Sequence, residues 1–317
     1  MDLSGEVIVP SFTFVATAHA LQWQEITPVF CDIDPVTHTI NPDEIERLIT
    51  PKTTGIIGVH LWGGGCKTNM LEEIAKRHRL RLLFDASHAF ACRHENRHIG
   101  TFGSAEVFSF HATKFVNTFE GGAVVTNDDT LARRLRLMKN FGFAGYDSVV
   151  YLGTNGKMSE VSAAMGLTMV EELADLKESN RRRYELYKIH LTGLRGVRFV
   201  DLSVDTESNW QYVVVEVEES QAGMDRDSLM KILHAENVLA RRYFYPGCHR
   251  MEPYKSYYPH ASLLLPVTEE ICKRVLVLPT GPTLTEDDVV LICEIVRTAM
   301  ENAGSLRQRF EARLEGD

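Results

Sequence analysis

The chain lacks any apolar run long enough to cross a bilayer, and it lacks an excess of positive charge. Its 317 residues carry 34 Lys and Arg against 43 Asp and Glu, which gives a formal net charge of -9. This balance argues against general affinity for nucleic acid or for an anionic membrane, although a local group of donors can still bind an anionic substrate. The first residues, MDLSGEVIVPSF, have neither the basic nor the apolar region of a signal peptide. We therefore expect a cytoplasmic protein.

Cysteine is scarce and irregularly spaced, and none of the 6 cysteines stands in a CxxC pair. In a chain of this length we expect reduced thiols that pack in the interior, and neither disulfides nor a metal site. Hydrophobic residues make up 44% and charged residues 24% of the chain, which is ordinary for a globular protein. The length is sufficient for a large domain and a smaller one.

The first half of the chain alternates strand and helix patterns. Predicted strands cover 6–9, 28–32, 54–61, 80–84, 105–110 and 123–126. Helical patterns lie between them at 14–22, from Asn41 onward, at 70–77 and at 128–141. This alternation predicts βαβ units, and hence an α/β fold with a mainly parallel sheet flanked by helices.

The second half has a different order of elements, which indicates a smaller α+β domain. Helical periodicity covers 158–176, and it is followed by a strand, a helix, a strand and a final helix at 210–217, 226–236, 238–244 and 286–302. We place the large domain at 1–177 and the small C-terminal domain at 178–317. The charged tail, 304–317, is expected to be a helix end or a solvated extension.

Two residues with complementary chemistry follow predicted strands. Asp85 comes directly after Leu82–Phe84, and Lys114 lies five residues beyond Ser109, near the end of strand 105–110. In open parallel sheets, ligands bind outside the carboxyl ends of the strands. A lysine that condenses with an aldehyde and a carboxylate that keeps a pyridine nitrogen protonated would suit pyridoxal phosphate (PLP). Taken singly, a helix-capping aspartate and a solvent-exposed lysine are the commoner explanations.

The segments VIVPSFTFVATAHA, PVFCDIDP, IIGVHLWG, LLFDASHAF, SFHATKFVNTFEGGAVVTND and GTNGKMSEVSAAMGL follow one another along the chain. Together they resemble the successive signatures of the sugar-nucleotide aminotransferases, the DegT and DnrJ group of fold-type I PLP enzymes. The resemblance runs from about Gly5 to the end. It implies a PLP-transferase fold of type I, PLP as cofactor, and a homodimer with shared active sites.

The resemblance also implies roles for individual residues. Lys114 in SFHATK matches the Schiff-base lysine, and Asp85 in FDASHA matches the aspartate that pairs with the pyridine nitrogen. His88 stands where the family has Gln or His near the phenolic oxygen of the cofactor; a packed histidine is an equally open explanation. Phe14 matches the aromatic residue that stacks on the ring, and Ser109 matches a hydroxyl near the phosphate.

Further positions are candidates for binding the cofactor or the substrate. Asn155 in GTNGKM matches an asparagine that reaches the phosphate from the neighbouring subunit. Arg241, just before YFYP, is a candidate for binding a carboxylate or a nucleotide phosphate, with a surface ion pair as the alternative. His249, His60 and Trp62 are candidates for lining the substrate site, although a core or rim position is the commoner role for each.

Within the group, the motifs HLWG, NFGF and YFYPGCHRMEPY resemble aminotransferases that act on the 4-keto carbon of dTDP-4-keto-6-deoxyglucose. The resemblance implies a keto-sugar nucleotide and an amino-acid donor, glutamate, as substrates. Lys114 disfavours dehydration, because the family's 3-dehydrases have histidine at this position. A 3-keto sugar nucleotide or a keto-cyclitol stays open as the substrate, and so does the role of a truncated, non-catalytic partner subunit.

The resemblance further leads us to expect residues before the GEVIVPS segment, with a Gly/Ser-Thr-Ala turn that binds the cofactor phosphate at a helix N-terminus. Only Met1–Ser4 precede Gly5. We therefore expect a chain that is shortened at its N-terminus, binds PLP weakly and turns over slowly or not at all.

Overall fold

The computed structural model describes residues 1–201 and 206–306. Residues 307–317, most of the predicted charged tail, lie outside this part of the chain. Within the two described ranges, no helix combines the length and the apolar character that crossing a membrane requires.

The described strands are β1 (Glu6–Pro10), β2 (Thr27–Cys31), β3 (Thr53–Val59), β4 (Arg81–Asp85), β5 (Arg93–His94), β6 (Arg97–His98), β7 (Ala105–Ser109), β8 (Gly122–Val125), β9 (Phe143–Gly145), β10 (Ser148–Val149), β11 (Val197–Phe199), β12 (Thr206–Glu207), β13 (Val213–Val217) and β14 (Val275–Leu278). The described α-helices are α1 (Ala16–Gln22), α2 (Pro42–Ile45), α3 (Thr68–His78), α4 (Asp129–Met138), α5 (Glu160–Glu171), α6 (Leu173–Leu191), α7 (Glu219–Ala222), α8 (Arg226–Ala235), α9 (Tyr254–Tyr257), α10 (Pro266–Arg274) and α11 (Glu286–Glu301).

The N-terminal half is built on a six-stranded sheet in the order β2-β1-β3-β4-β7-β8. The pairs from β2 to β7 are parallel, and β8 is antiparallel to β7. The apolar residues of the central strands are buried between helices, as is usual in parallel sheets. The predicted α/β fold with a mainly parallel sheet is confirmed.

Side-chain caps fix several helix starts. Asn41 accepts from the backbone N–H of Asp43 at the start of α2, and Asp128 accepts from two backbone N–H groups at the start of α4. At the start of α11, Thr285 and Asp288 form a reciprocal capping box. Such caps satisfy backbone donors that have no partner within the helix.

The C-terminal half contains an antiparallel sheet in the order β11-β13-β14. Helices α6, α8 and α11 pack on it around one apolar cluster. A second cluster joins both halves of the chain, because Phe12 and Trp62 pack with Val214 and Phe244. The chain halves therefore share a core next to the site described below.

The predicted strand 238–244 is wrong: only Arg241 forms an isolated bridge, to Val277 of β14, a strand that the sequence pattern missed. Aromatic and β-branched residues made this segment resemble a strand, but its aromatic rings pack into a cavity wall instead. Helix α6 runs across the predicted domain boundary at residue 177.

Candidate active site

A cavity of about 490 Å³ opens at the carboxyl ends of β3, β4 and β7. Val59, Asp85 and Ser109 are the last residues of these three strands, and all three line the cavity. Because parallel strands end at one edge of the sheet, residues far apart in the sequence meet there. The opposite wall comes from the C-terminal half; its residues are Tyr212, Arg241, Tyr243 and Phe244.

The carboxylate of Asp85 is held by hydroxyl and backbone donors. The Thr17 hydroxyl donates to Oδ2 over 2.8 Å, and the Ser87 hydroxyl and backbone N–H donate to Oδ1 over 2.5 and 3.0 Å. Thr17 in turn shares a hydrogen bond of 2.9 Å with the hydroxyl of Thr13, which lines the cavity. The carboxylate plane is therefore fixed before any ligand arrives.

Lys114 lies on the loop that follows β7 and is partly buried. Its backbone N–H donates to the carbonyl of His111 over 2.8 Å, which closes a turn. Within the described chain, its ammonium group makes no hydrogen bond or ion pair. Burial lowers the pKa of Lys114, and the nearby Asp85 carboxylate opposes that shift. A lysine amine of this kind is more readily deprotonated than a solvent-exposed one.

His88 is buried beside the cavity, and its Nδ1 has no hydrogen-bond partner in the described part of the protein. The ring of Tyr212 lies against it, with centroids 4.2 Å apart. Burial, together with the positive charge of Lys114, holds the pKa of His88 well below its usual value. A neutral buried imidazole with a free nitrogen is suited to a hydrogen bond with a ligand in the cavity.

Three further predicted residues also line the cavity. Phe14 is 59% exposed, so one face of its ring is open to a ligand. Ser109 is close to the lysine loop, where its Oγ lies 3.4 Å from the N–H of His111. Arg241 contacts Tyr243 on the far wall, with its guanidinium 5.9 Å from the ring centroid. The cavity thus brings together the predicted residues Phe14, Asp85, His88, Ser109, Lys114 and Arg241.

His249 and Asn155 are not among the cavity-lining residues. Both ring nitrogens of His249 are used elsewhere, because Nδ1 contacts Ser11 Oγ at 2.7 Å and Nε2 contacts Glu269 at 2.6 Å. The structure therefore gives His249 a buried contact that anchors the segment after β1, away from the cavity. Asn155 is exposed and bridges to Asn140.

His60 and Trp62 lie behind the cavity wall. Nδ1 of His60 accepts from the backbone N–H of Cys66, and its Nε2 lies 3.2 Å from the buried carboxylate of Glu106. Trp62 stacks on Phe244, with ring centroids 5.4 Å apart. Both residues support the wall from the protein side.

Sequence reasoning missed several residues that line the cavity: Thr13, Ser87, His111, Thr113, Tyr212 and Tyr243. His111 and Thr113 lie inside the SFHATK segment, and Ser87 lies inside FDASHA, so proximity to Lys114 and Asp85 was an available signal. Tyr212 had no such signal, because only the folding of the C-terminal half brings it to His88.

The residues of this cavity fit PLP. A fixed carboxylate, an amine with no ion-pair partner among the described residues, an exposed aromatic face and hydroxyl groups match its pyridine nitrogen, aldehyde, ring and phosphate. The unpartnered Nδ1 of buried His88 is the most direct sign that a polar ligand belongs here.

This fold and this cavity define a PLP-dependent aminotransferase. The chain belongs to the DegT/DnrJ/EryC1/StrS aminotransferase family, whose sequence pattern matches residues 1–297. It is a sugar aminotransferase, and its cofactor is PLP.

Two relatives are named as sugar-nucleotide transaminases. The chain is 36% identical over 297 residues to a dTDP-4-amino-4,6-dideoxy-D-glucose transaminase of Shigella dysenteriae, covering 94% of this chain and 80% of that protein. An Escherichia coli protein of the same name is 32% identical over 299 residues, covering 93% of this chain and 80% of that one.

Solved structures agree with the fold. The crystal structure of DesI in the presence of its TDP-sugar product matches with a TM-score of 0.93 and 47% identity, over 98% of this chain and 78% of that chain. DesV of S. venezuelae, in complex with a ketimine intermediate, matches with a TM-score of 0.87 and 32% identity, over 94% and 78% of the two chains.

Proposed function

We propose that Lys114 is the Schiff-base lysine of this enzyme and that Asp85 pairs with the pyridine nitrogen of PLP. The observation that carries this proposal is that both side chains line one cavity, Asp85 at the end of β4 and Lys114 on the loop that follows the neighbouring strand β7. His88 is suited to the phenolic oxygen, Phe14 to the ring face, and Ser109 to the phosphate. We also retain the division into a large domain, 1–177, and a small domain, 178–317, as a proposal.

When bound, PLP supplies an aldehyde and an electron-withdrawing ring, which allow an amino group to pass between two substrates. Asp85 keeps a proton on the pyridine nitrogen, because an ionised carboxylate favours the charged form of its partner. Lys114 Nζ accepts and returns the proton that moves during each half-reaction, and its lowered pKa favours the free amine that this task needs. His88 donates or accepts at the cofactor edge without carrying a charge of its own.

For the substrate, we propose amination of the 4-keto carbon of dTDP-4-keto-6-deoxyglucose, with glutamate as amino donor. The support is the similarity to transaminases named for the 4-amino-4,6-dideoxyglucose product. Arg241 is the cavity-lining guanidinium and is suited to bind the donor carboxylate or the nucleotide diphosphate. A further relative, 32% identical over 293 residues, is named GDP-perosamine synthase of Escherichia coli O157:H7. A GDP-linked keto sugar is therefore the comparison substrate to assay beside the dTDP-linked one.

Borohydride reduction of the loaded protein, followed by peptide mapping, tests the lysine assignment. A pyridoxyl label on the peptide that contains Lys114 is expected, and a label on another lysine would refute the assignment. The substrate is tested by assaying glutamate-dependent amination of dTDP-4-keto, dTDP-3-keto and GDP-4-keto sugars. Activity confined to the 3-keto or GDP-linked sugar would overturn the proposed substrate.

We further propose that two copies of the chain form a homodimer. The segment from 141 to 170 exposes apolar side chains that a second copy would cover; they include Tyr146 (101% exposed), Leu152 (92%), Val161 (71%) and Leu167 (67%). Such a concentration is unusual on the surface of a monomer. A second cavity of about 490 Å³, beside the β9–β10 hairpin, lies in the same region and contains no carboxylate or amine.

Exposed Asn155 belongs to this surface, and we propose that it completes the phosphate site of the partner. Mixed dimers of Lys114→Ala and Asn155→Ala subunits provide the test. If sites are shared, each mixed dimer holds one doubly altered site and one intact site, so mixing two inactive variants restores activity. If each chain forms its own site, no mixture regains activity. Sedimentation analysis of the native protein checks the dimer itself.

A further inference from the structure

A short segment of the C-terminal half, residues 209–212, contacts both loops that carry the site. The Asn209 side-chain amide donates to the carbonyls of His88 and Phe90, over 3.0 and 3.1 Å. The Gln211 side-chain amide donates to the carbonyl of Thr113 over 2.9 Å. The position of these two loops is therefore set by the C-terminal half as well as by the sheet of the N-terminal half.

Gln211 is itself firmly attached to the C-terminal half. Its backbone N–H donates to Asn209 Oδ1 over 3.1 Å, and its carbonyl accepts from the Thr280 hydroxyl over 2.6 Å. Asn209 is held from the other side by the Asn180 amide, which donates to its carbonyl over 3.2 Å. A side chain fixed at its backbone in this way can restrain the loop that it contacts.

The acceptor of this hydrogen bond is the residue directly before Lys114. The other described hydrogen bonds and ion pairs of residues 111–114 stay within 109–120. The Lys114 N–H donates to the His111 carbonyl, and the Asn117 amide donates to the Lys114 carbonyl over 3.4 Å. His111 Nδ1 contacts the Thr113 hydroxyl, and its Nε2 lies 3.4 Å from Glu120. The Gln211 contact thus connects the backbone next to the lysine to a separate part of the chain.

We propose that Gln211 is a positioning residue that holds the Lys114 loop at its working distance from Asp85 and His88. Its amide couples the C-terminal half to the lysine through the Thr113 carbonyl and touches no reacting atom. A misplacement of about 1 Å can cost about 100-fold in rate, so a loop that is free to shift lowers the rate without weakening substrate binding. The inference rests on the proposed role of Lys114.

Two substitutions test this role. Gln211→Met keeps the length of the side chain and removes the donor, whereas Gln211→Glu places an acceptor against the Thr113 carbonyl. Gln221→Met, at an exposed position on α7, is the matched control. We expect kcat to fall by roughly 10-fold in Gln211→Met and further in Gln211→Glu, with KM for both substrates within about 2-fold of the native value.

The second readout follows Lys114 directly. After the cofactor is removed, the rate at which PLP restores visible absorbance should be lower in both Gln211 variants and unchanged in Gln221→Met. Urea unfolding should be nearly the same for Gln211→Met and the native protein. Native kcat and native recovery rate in Gln211→Met would overturn the inference, as would losses that track a fall in unfolding free energy. A borohydride label on a lysine other than Lys114 in the native protein would overturn the proposed function as well.

Discussion

Nδ1 of His38 accepts a hydrogen bond from the indole N–H of Trp62, over 3.3 Å. An indole nitrogen can only donate, so Nδ1 carries no proton and the imidazole is neutral. The proton is on Nε2, which lies 2.8 Å from the carboxylate of Glu216 on β13. Burial, and then the Arg198 guanidinium on the same carboxylate, lowers the pKa of His38 to about 3. The short Glu216 contact would favour the opposite shift, but the Trp62 bond requires the neutral ring.

A neutral buried His38 makes folding sensitive to acid. Its pKa is lower in the folded chain than the ordinary 6.5, so its stabilising contribution is complete above pH 6.5 and declines as the pH falls towards 3. Between pH 7.5 and 5.0 we expect a loss of roughly 2 kcal/mol in unfolding free energy from this residue. Urea unfolding at both pH values measures it. His88 and His249 act in the same direction, so His38→Gln, which keeps both hydrogen bonds and does not titrate, isolates the His38 share. An equal loss in the variant would refute the explanation.

Asp85→Asn should retain bound cofactor but lower kcat by about 100-fold or more. The amide keeps the shape of the side chain, and it can accept from Thr17 or Ser87, but it cannot hold the pyridine nitrogen protonated. Steady-state kinetics and the visible spectrum check the two halves of this prediction. Turnover close to the native rate would show that Asp85 does not pair with the ring nitrogen.

Arg241→Met should raise KM for an anionic substrate by about 10- to 100-fold, because a charge-assisted hydrogen bond contributes about 1.5–3 kcal/mol. Arg242→Met is the matched control, since the Arg242 guanidinium lies 3.0 Å from Asp227 and does not line the cavity. Separate titrations of glutamate and of the sugar nucleotide identify which substrate Arg241 binds. Unchanged KM values for both would exclude Arg241 from the substrate site.

Phe14→Leu should weaken PLP binding by about 3- to 10-fold, the range that corresponds to about 0.5–1.5 kcal/mol for an aromatic pair. Equilibrium dialysis of the cofactor measures the change. Trp23→Leu, at the 80% exposed residue that directly follows α1, serves as the control for loss of a surface aromatic ring. Similar cofactor affinity in both variants would mean that Phe14 does not stack on the ring.

The sheet was predictable because each of its strands is a short apolar run between turn or helix signals. The predicted starts and ends of β4 and β7 lie within one residue of those observed. Segment 238–244 was mispredicted for a physical reason: its composition suits a strand, but β14 pairs with it at Arg241 alone. Pairing depends on a partner that a single sequence does not identify.

Some residues of the candidate site could likewise be predicted from the sequence, and others could not. Asp85 and Lys114 could be proposed from the sequence because strand ends in a parallel sheet converge, and the resemblance to the family supplied their roles. Tyr212 and Gln211 were not, since only the docking of the C-terminal half brings Tyr212 to the cavity and Gln211 to the lysine loop. His249 was a candidate for the substrate site because an imidazole can bind a ligand. Only the folded structure shows that its two ring nitrogens contact Ser11 and Glu269 instead.

All 6 cysteine thiols of the chain are free and buried, and burial raises the pKa of each. Thiolates are the species that alkylating reagents attack, so the folded protein should be nearly inert to them at pH 8. Any reaction then requires that a thiol first becomes exposed by local opening. Cys66 lies in the core beneath the parallel sheet, whereas Cys293 lies on α11 against the antiparallel one. The alkylation rates of Cys66 and Cys293 therefore report separately how often each half of the chain opens.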